Sequence, residues 1–414
     1  MTDDWGRDRA EPVAVGPPRR RVSRSDRIRE ARGRRKRRLV SGFALVLLIV
    51  VVVGAVFLGS KLWHTMFSSG NDFSGDGTND VVIQIHDGDS TTAIGKTLED
   101  HKVVATVKAF VAAAQGNAAI SAIQPGYYKV RTEIPASDAV SRLADPHNRV
   151  GKLVIPEGRQ LDDIQDVKTN AVTDGIFSLI SHATCVNLDG DQHCVSVNDL
   201  RNSAGAAAPS ALSVPDWAMN EVNALGNDHR RLEGLIAPGT WNIDPSASAQ
   251  DILSTLIATS ATQYAQGGLL DTAKSMNMSP YQILTVGSLV QRESKPDDFA
   301  KVAQVIYNRL RENRTLEFDS TVNYPLNRIE VATTDADRAL NTQWNTYVRP
   351  GLPATPICSP GQPALAAAEQ PAPGDWLYFV TIDMQGTTLF TRDYQQHLAN
   401  IELAKRNGVL DSAR

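Results

Sequence analysis

Hydrophobic positions form an unbroken run near the start of the chain. Residues 39–60 contain no charged side chain and are mostly Val, Leu, Ile and Gly. A helix needs roughly 20 apolar residues to cross the hydrocarbon core of a membrane. We therefore predict a retained transmembrane helix over residues 39–60. A cleavable signal peptide is disfavoured, because the run exceeds the usual h-region and no A-x-A site follows it.

Beyond this run, short apolar strands alternate with amphipathic helices. Residues 61–79 are rich in Gly, Ser, Asn and Asp, which predicts a flexible stalk. Val81 to Ile85 is then strand-like, and two helical stretches and a second strand around Tyr127 to Val130 follow. This strand–helix–helix–strand order over residues 80–148 resembles a LysM-like α/β module, which holds N-acetylglucosamine polymers. A purely structural α/β module is an equal alternative.

The pattern of the remaining chain predicts a larger domain over residues 149–405. Short strands and amphipathic helices mix there, so the predicted fold class is α+β. Residues 168–228 interrupt the pattern. Their low-complexity part, Ser203 to Pro215, predicts a surface insertion.

The most regular helical signal of the chain begins at Ser279 and Pro280. A Ser side chain can cap the first amides of a helix, and Pro fits the first helical position. The spacing then places apolar residues on one face, and the next position on that face holds a carboxylate. The residues of this stripe are Ile283, Val286, Gly287, Val290 and then Glu293.

A carboxylate at a core-facing position has chemical consequences. Partial burial costs free energy unless the group is paired or neutral, and it raises the pKa of a Glu towards the range of a general acid at neutral pH. Glu293 is therefore a candidate catalytic residue. The alternative is that Glu293, at a helix end, only reaches solvent or pairs with Arg292 or Lys295.

Charge predicts the orientation of the membrane helix. Residues 1–38 hold 14 Lys and Arg against 6 Asp and Glu, whereas the whole chain has a net charge of −4. Under the positive-inside rule, residues 1–38 are a basic cytoplasmic tail, and the rest of the chain lies outside the cytoplasm at the cell membrane. No basic stripe with interleaved aromatic residues recurs, so no nucleic-acid partner is expected.

The chain contains only three cysteines. Cys185 and Cys194 lie close together in a segment assigned to the oxidising side of the membrane, so a local disulfide between them is expected. Cys358 is left unpaired. A cysteine hydrolase using Cys358 and His397 is disfavoured, because no helix N-terminus would activate this thiol. No metal-spaced His/Cys cluster or phosphate-binding Gly-rich loop occurs, so no cofactor or metal is expected.

Several sequence blocks carry a family resemblance. Together they resemble the endolytic murein transglycosylase family, also called YceG-like. The blocks are IPEG at residues 155–158, LEGLIAPGTW at 232–241, GSLVQRES at 287–294, VAQVIYNRL at 302–310, LEFDSTVNY at 316–324, WNTYVRPGLPATPICSPG at 344–361 and WLYFV at 376–380. Departures from the family pattern are Glu317, Ser320, Ser359 and Thr388, which puts details of substrate contact in doubt.

The resemblance implies a fold, a reaction and a substrate. It implies that residues 149–405 are the catalytic domain, with a helical core of the lytic-transglycosylase type around Glu293. A lytic transglycosylase cleaves the β-1,4 bond between N-acetylmuramic acid (MurNAc) and N-acetylglucosamine (GlcNAc) in peptidoglycan. The 6-hydroxyl of the muramic acid is the nucleophile, and the product carries a 1,6-anhydro end. One carboxyl group, Glu293, then serves as acid and base. Nascent strands near the membrane are the expected substrate, and peptidoglycan synthases are the expected partners.

Five further residues are candidates for substrate contact. Asn345 and Tyr347 could hydrogen-bond sugar or N-acetyl groups, and Tyr324 could stack on a ring. Glu233 or Asp319 could stabilise positive charge at the anomeric carbon. For each of the five, a structural role as a cap, core or turn residue is the alternative.

Two other functions are compatible with the sequence. A non-catalytic scaffold would bind the cell wall through residues 80–148. A hydrolytic glycosidase would use Glu293 together with Asp319 or Glu233, since such enzymes normally need two carboxylates.

Overall fold

The computed structural model describes residues 72–329 and 333–409. The predicted cytoplasmic tail, the transmembrane helix and most of the stalk lie outside the described residues, so they stay predictions. Within the two described ranges, no helix is long and apolar enough to cross a membrane. All described residues belong to one compact unit, residues 70–414.

The first part of the described chain is a small sheet covered by helices. Its elements are β1 (Asp80–Ile85), α1 (Thr91–Asp100), α2 (Val107–Ala114), β2 (Gly126–Arg131), α3 (Ala136–Ala144) and β3 (Arg149–Val150). β2 lies between β1 and β3 and is antiparallel to both. The expected strand–helix–helix–strand order is present, and its similarity to a glycan-binding module stays a prediction.

Alternation along these strands builds the core of the first part. Ile83 and Ile85 of β1 and Tyr128 and Val130 of β2 are buried, because alternate residues of a strand point to one face of the sheet. They pack with side chains from the three helices, among which Phe110 is fully buried.

The second part contains many helices and several small sheets. Its elements are β4 (Lys152–Ile155), β5 (Ile164–Asp166), β6 (Val172–Thr173), α4 (Ile176–Thr184), β7 (Val186–Leu188), β8 (Asp191–His193), α5 (Val197–Ala206), α6 (Met219–Ala224), β9 (Gly239–Asn242), α7 (Ala249–Gln266), α8 (Leu269–Met276), α9 (Pro280–Glu293), α10 (Phe299–Arg311), α11 (Asp319–Asn323), β10 (Arg328–Ile329), α12 (Asp335–Arg338), α13 (Gln362–Glu369), β11 (Tyr378–Thr381), β12 (Thr388–Thr391) and α14 (Tyr394–Arg406). The predicted mixed α+β class is confirmed.

The strands of the second part pair in small groups. β4 is antiparallel to β9, and β11 is antiparallel to β12. β5 lies between β6 and β10, with β10 parallel to it.

A hairpin of β7 and β8 joins the two parts. Cys185 and Cys194 flank this hairpin and form a disulfide with an S–S distance of 2.06 Å. In the turn of the hairpin, the Asp189 amide donates to the Asp80 carboxylate at 3.1 Å, and the Asp80 amide donates to the Asp189 carboxylate at 2.9 Å. The hairpin therefore fixes the first strand of the small sheet to the larger part.

The segment predicted to be a surface insertion is partly core. Ala204 and Leu212 are fully buried, Val214 is nearly so, and all three pack in the hydrophobic core of the second part. α4 and α5 contribute Phe177 and Leu200 to the same core. The prediction of a surface insertion is wrong for this segment, because a run rich in Ala and Ser supplies small side chains that allow close packing as well as loop formation.

α9 passes through the middle of the second part. Its N-terminus has the expected Ser279 cap, which is a capping box: the Ser279 hydroxyl accepts from the Gln282 amide, and the Gln282 side chain accepts from the Ser279 amide. Every residue from Ile283 to Val290 is buried. The polar members of this run, Thr285 and Ser288, donate their hydroxyls to main-chain carbonyls within the helix, so the buried helix leaves neither hydroxyl unpaired.

Candidate active site

Glu293 is the last residue of α9, and its side chain is half-buried. Its carboxylate accepts a hydrogen bond from the Ser320 hydroxyl. Lys295, one of the partners considered for it, instead donates to the Gln385 carbonyl at 2.9 Å. Glu293 is therefore held against the start of α11 rather than extended into solvent at a helix end.

The surroundings of Glu293 shift its proton affinity. The pKa of Glu293 is raised to about 7, chiefly because the group is buried and also because of the negative charge of Asp319. The hydrogen bond from Ser320 and the positive charge of Arg292 act in the opposite direction. Protein atoms crowd the carboxyl group although part of the side chain reaches the surface. Both the acid and the base form are therefore populated near neutral pH.

In the sequence, Ser320 is recognisable only as a departure from the family pattern. Its role depends on a contact between residues 27 positions apart, and no local pattern indicates such a contact. Ser320 lies in the first turn of α11, directly after Asp319. The same short helix therefore carries the hydrogen-bond donor and the neighbouring charge that act on Glu293.

Asp319 is engaged in its own ion pair. Nε and Nη2 of Arg338 each donate to one carboxylate oxygen of Asp319 at 3.2 Å. The Tyr347 hydroxyl donates to the same carboxylate at 2.8 Å, and the Thr333 hydroxyl donates to it as well. These four donors hold the carboxylate in a fixed position. Asp319 thus lies beside Glu293 as a paired anion.

Tyr347 is the candidate substrate-contact residue whose aromatic ring is partly accessible. Its side chain is half-buried, and Arg338 lies over its ring with the guanidinium carbon 4.9 Å from the ring centroid. Burial, with the negative charges of Asp319 and Glu293, raises the pKa of Tyr347. Its hydroxyl therefore stays protonated and keeps its hydrogen bond to Asp319.

Asn345 makes hydrogen bonds to the loop around it. It is buried, and its amide nitrogen donates to the carbonyls of Arg338 and Leu340 at 3.0 and 2.7 Å. Its side-chain oxygen accepts from the Tyr347 amide at 2.9 Å. These three bonds use both donors and an acceptor that a sugar would need, and the predicted sugar contact stays a prediction. Asn345 shapes the loop that presents Tyr347.

Glu233 and Tyr324 form a second buried pair away from solvent. Their side chains are only 1% and 2% exposed. The Tyr324 hydroxyl donates to Glu233 Oε2 at 2.8 Å, the Leu161 amide donates to the same oxygen at 3.0 Å, and the Tyr324 ring packs on Trp344. In this structure neither side chain reaches a surface that a sugar could contact, and their predicted substrate contacts stay predictions.

This buried pair has a positioning role. Tyr324 directly follows α11, the helix that carries Asp319 and Ser320. Burial raises the pKa of Glu233 to about 8, so Glu233 is mostly protonated at neutral pH. The bond between Tyr324 and Glu233 thus ties the end of α11 to the core without a full buried charge.

Cys358 and His397 do not form a nucleophile pair. Cys358 is fully buried, its thiol donates to the Ser288 carbonyl at 3.5 Å, and burial raises the pKa of this thiol. His397 stacks on Tyr378 with ring centroids 4.9 Å apart. Among the described residues, no group of His, Cys, Asp or Glu side chains could hold a metal ion.

The site thus offers one carboxyl group that can exchange a proton near pH 7. A second carboxylate beside it is neutralised by an Arg, and a Tyr hydroxyl lies at its margin. This arrangement suits chemistry with a single acid/base residue. A mechanism with two carboxylates fits the site less well, because the hydrogen bonds that Asp319 accepts occupy the oxygens it would need as a nucleophile or base.

Comparison with known proteins assigns the family. A sequence model described as the YceG-like family matches residues 83–403, which is most of the chain. The chain belongs to the YceG-like family, and the resemblance predicted from the sequence blocks is confirmed.

Relatives in this family are similar over long stretches. A protein of Bacillus subtilis (strain 168), named endolytic murein transglycosylase, is 26% identical over 351 residues, which cover 84% of this chain and 89% of that protein. A protein of the same name from Streptococcus pneumoniae serotype 2 (strain D39) is 27% identical over 336 residues, which cover 78% of this chain. The match spans 58% of the pneumococcal protein.

A solved structure has the same fold. The crystal structure of a YceG-like protein from Listeria monocytogenes matches with a TM-score of 0.51 at 25% identity. The match covers 77% of this chain and 98% of that one.

Substitutions at the two α11 residues should move the pKa of Glu293 in opposite directions. Ser320→Ala removes a hydrogen bond to the ionised form, so the pKa should rise by about one pH unit. Asp319→Asn removes a neighbouring negative charge, so the pKa should fall by a similar amount. NMR titration of ¹³C-labelled Glu side chains, with Glu293→Gln to assign the signal, measures both. Shifts of the same sign in the two variants would contradict this electrostatic account.

Glu233 should make stability depend on pH. Its folded-state pKa of about 8 lies above the ordinary Glu value of 4.5, so the unfolded chain loses this proton at lower pH than the folded chain does. The contribution of Glu233 to the free energy of unfolding is therefore fully present below pH 4.5. It is lost as the pH rises towards 8, by roughly 1 kcal/mol per pH unit. Urea unfolding from pH 5 to 8 should show that Glu233→Gln loses less stability than wild type over this range. The exposed Glu402→Gln control should keep the wild-type slope.

Proposed function

We propose that this protein is a peptidoglycan lytic transglycosylase that cuts within glycan strands. It would cleave the β-1,4 bond from MurNAc to GlcNAc and leave 1,6-anhydro-MurNAc ends. The observation that carries the proposal is Glu293, a half-buried carboxyl group with a pKa raised to about 7 beside a neutralised Asp319. The names of the B. subtilis and S. pneumoniae relatives support the same reaction.

The reaction needs one group that first gives and then takes a proton. Glu293 in its acid form donates to the glycosidic oxygen as the bond to the anomeric carbon breaks. The resulting carboxylate removes the proton of the muramic acid 6-hydroxyl as that oxygen attacks the anomeric carbon. The nucleophile belongs to the substrate itself, so ring closure needs no ordered water molecule and a smaller loss of entropy.

Neighbouring groups assist both steps. The Ser320 hydroxyl stabilises the carboxylate form of Glu293 that follows the first transfer. Tyr347, whose aromatic ring is partly accessible, is the residue we assign to contact a sugar at the margin of the site. The anion of Asp319, although paired with Arg338, favours the positive charge that develops at the anomeric carbon.

Replacing the acid should abolish the reaction. Glu293→Gln keeps the shape of the side chain but cannot donate a proton, so release of anhydromuropeptides should fall by at least about a hundredfold. Mass spectrometry of digested peptidoglycan measures this product. The wild-type rate should also fall as the pH rises above about 7, because the initial acid form of Glu293 is then lost.

The outcome separates the competing functions. The control Glu402→Gln should behave as wild type. Products heavier by one water would indicate a hydrolytic glycosidase. Full complementation of a deletion strain by Glu293→Gln, combined with failure of a chain lacking residues 80–148, would indicate a non-catalytic scaffold.

We also propose that the protein is anchored in the cell membrane by residues 39–60, with its N-terminus in the cytoplasm. The uncharged apolar run and its basic flank support this orientation. A short stalk would keep the site within a few tens of Å of the bilayer, where synthases release nascent strands, and cleavage there would end strand elongation.

The membrane proposal has a direct test. The full chain should stay in the membrane pellet after alkaline carbonate washing, and a chain lacking residues 39–60 should not. External protease should digest the part after residue 60 in spheroplasts while leaving the basic tail intact. Release of the full chain by carbonate would exclude the anchor.

A further inference from the structure

A cavity of about 800 Å³ opens at the end of α9 opposite to Glu293. Its walls come from the loop after α8, the first turns of α9, one face of α10, a residue of α6 and the loop Gly351–Ala354. Cavities of this size typically hold small-molecule ligands. The proposed reaction at Glu293 does not use this cavity.

The lining combines apolar surface with opposite charges. Met276 and Met278 provide flexible apolar contacts, which adapt to varied side chains. Glu221 lies on the lining from α6, and Arg311 lies on it from α10. A ligand with an amine, a carboxylate and apolar parts would match these walls.

Tyr281 supplies a hydrogen-bond donor that no other group uses. It lines the cavity and is only 3% exposed. Its hydroxyl has no hydrogen-bond partner among the described residues. A buried hydroxyl without a partner costs free energy, which a ligand carbonyl would recover. The cavity therefore presents polar groups as well as shape.

The cavity lies within reach of the proposed cleavage site. Thr285, which lines the cavity, and Glu293 are separated by eight positions on one helix, which corresponds to roughly 12 Å. Tyr347, beside Asp319, is only four residues before Gly351, a span of at most about 15 Å. An extended peptide of four residues covers roughly 14 Å. A peptide attached to a sugar bound at Glu293 can therefore extend into the cavity.

We propose that this cavity binds the short peptide carried by the muramic acid residue, with Glu221 facing the amine of its diamino acid and Arg311 facing a carboxylate. The inference rests on the peptidoglycan substrate of the proposed function. Binding of this peptide would make the protein act faster on glycan strands that carry peptides than on strands from which the peptides have been removed. Tyr281 would hydrogen-bond a main-chain carbonyl of the bound peptide.

Binding to the inactive full chain tests the cavity without catalysis. The probe is the tetrapeptide N-acetyl-L-Ala-γ-D-Glu-L-Lys-D-Ala, titrated by calorimetry into the Glu293→Gln protein. Adding Glu221→Gln, Arg311→Gln or Tyr281→Phe should weaken binding, by about tenfold for the two charged positions. Acetylating the Lys amine of the probe should remove the effect of Glu221→Gln but not that of Arg311→Gln. Absence of saturable binding at millimolar probe would overturn the proposal.

Selectivity in the active protein gives a second readout. The ratio of kcat/KM for peptide-bearing strands to that for strands stripped by an amidase should exceed one in wild type. It should fall about tenfold in Arg311→Gln, whereas Glu402→Gln should keep the wild-type ratio. Equal losses on both kinds of strand would mean that the cavity binds sugar, which overturns the peptide assignment. No anhydro product from either strand would overturn the proposed function, while peptide binding would remain measurable.

Discussion

The burial of α9 is the constraint on which the rest of the site depends. Eight consecutive residues of this helix, Ile283 to Val290, are inside the core, so neighbouring helices enclose it on every side. A helix in such an environment can neither rotate nor slide without opening cavities or burying polar groups. Gly287 allows the close approach of α13, since a Cβ there would already touch Leu365 at 3.4 Å. Glu293, the last residue of the helix, therefore has a fixed position.

The second fixed point is α11, which is too short to hold its place by itself. Five residues form little more than one helical turn, and an isolated turn is not stable. The chain stabilises it through contacts at both ends. Ser320 bonds to Glu293 at one end, and Tyr324, directly after the helix, bonds to the buried Glu233. A protonated Glu233 accepts this bond at a lower desolvation cost than a carboxylate would.

Local patterns in the sequence were sufficient for the main catalytic candidate. The Ser279 cap, the stripe from Ile283 to Val290 and its continuation to Glu293 all follow from helical periodicity within 15 residues. Glu233 and Asn345 could not be placed in this way. A polar residue beside apolar neighbours can lie at a cleft or in the core, and only contacts with distant segments decide which. Glu233 accepts a hydrogen bond from the amide of Leu161, which lies 72 positions away in the chain. Asn345 is held by hydrogen bonds within its own loop.

A difference in exposure explains why two carboxyl groups with raised pKa values have different consequences. Glu233 is sealed among apolar and aromatic side chains, so its proton cannot reach a substrate and affects stability alone. Glu293 keeps a solvent-facing side and accepts a hydrogen bond from Ser320. A substrate can therefore reach its proton, and the carboxyl group can lose and regain that proton. Asp319 would raise the pKa of Glu293 further if its charge were unopposed. Its pairing with Arg338 limits this effect and leaves the acid near the middle of the physiological range, where a single group can perform both halves of an acid/base reaction.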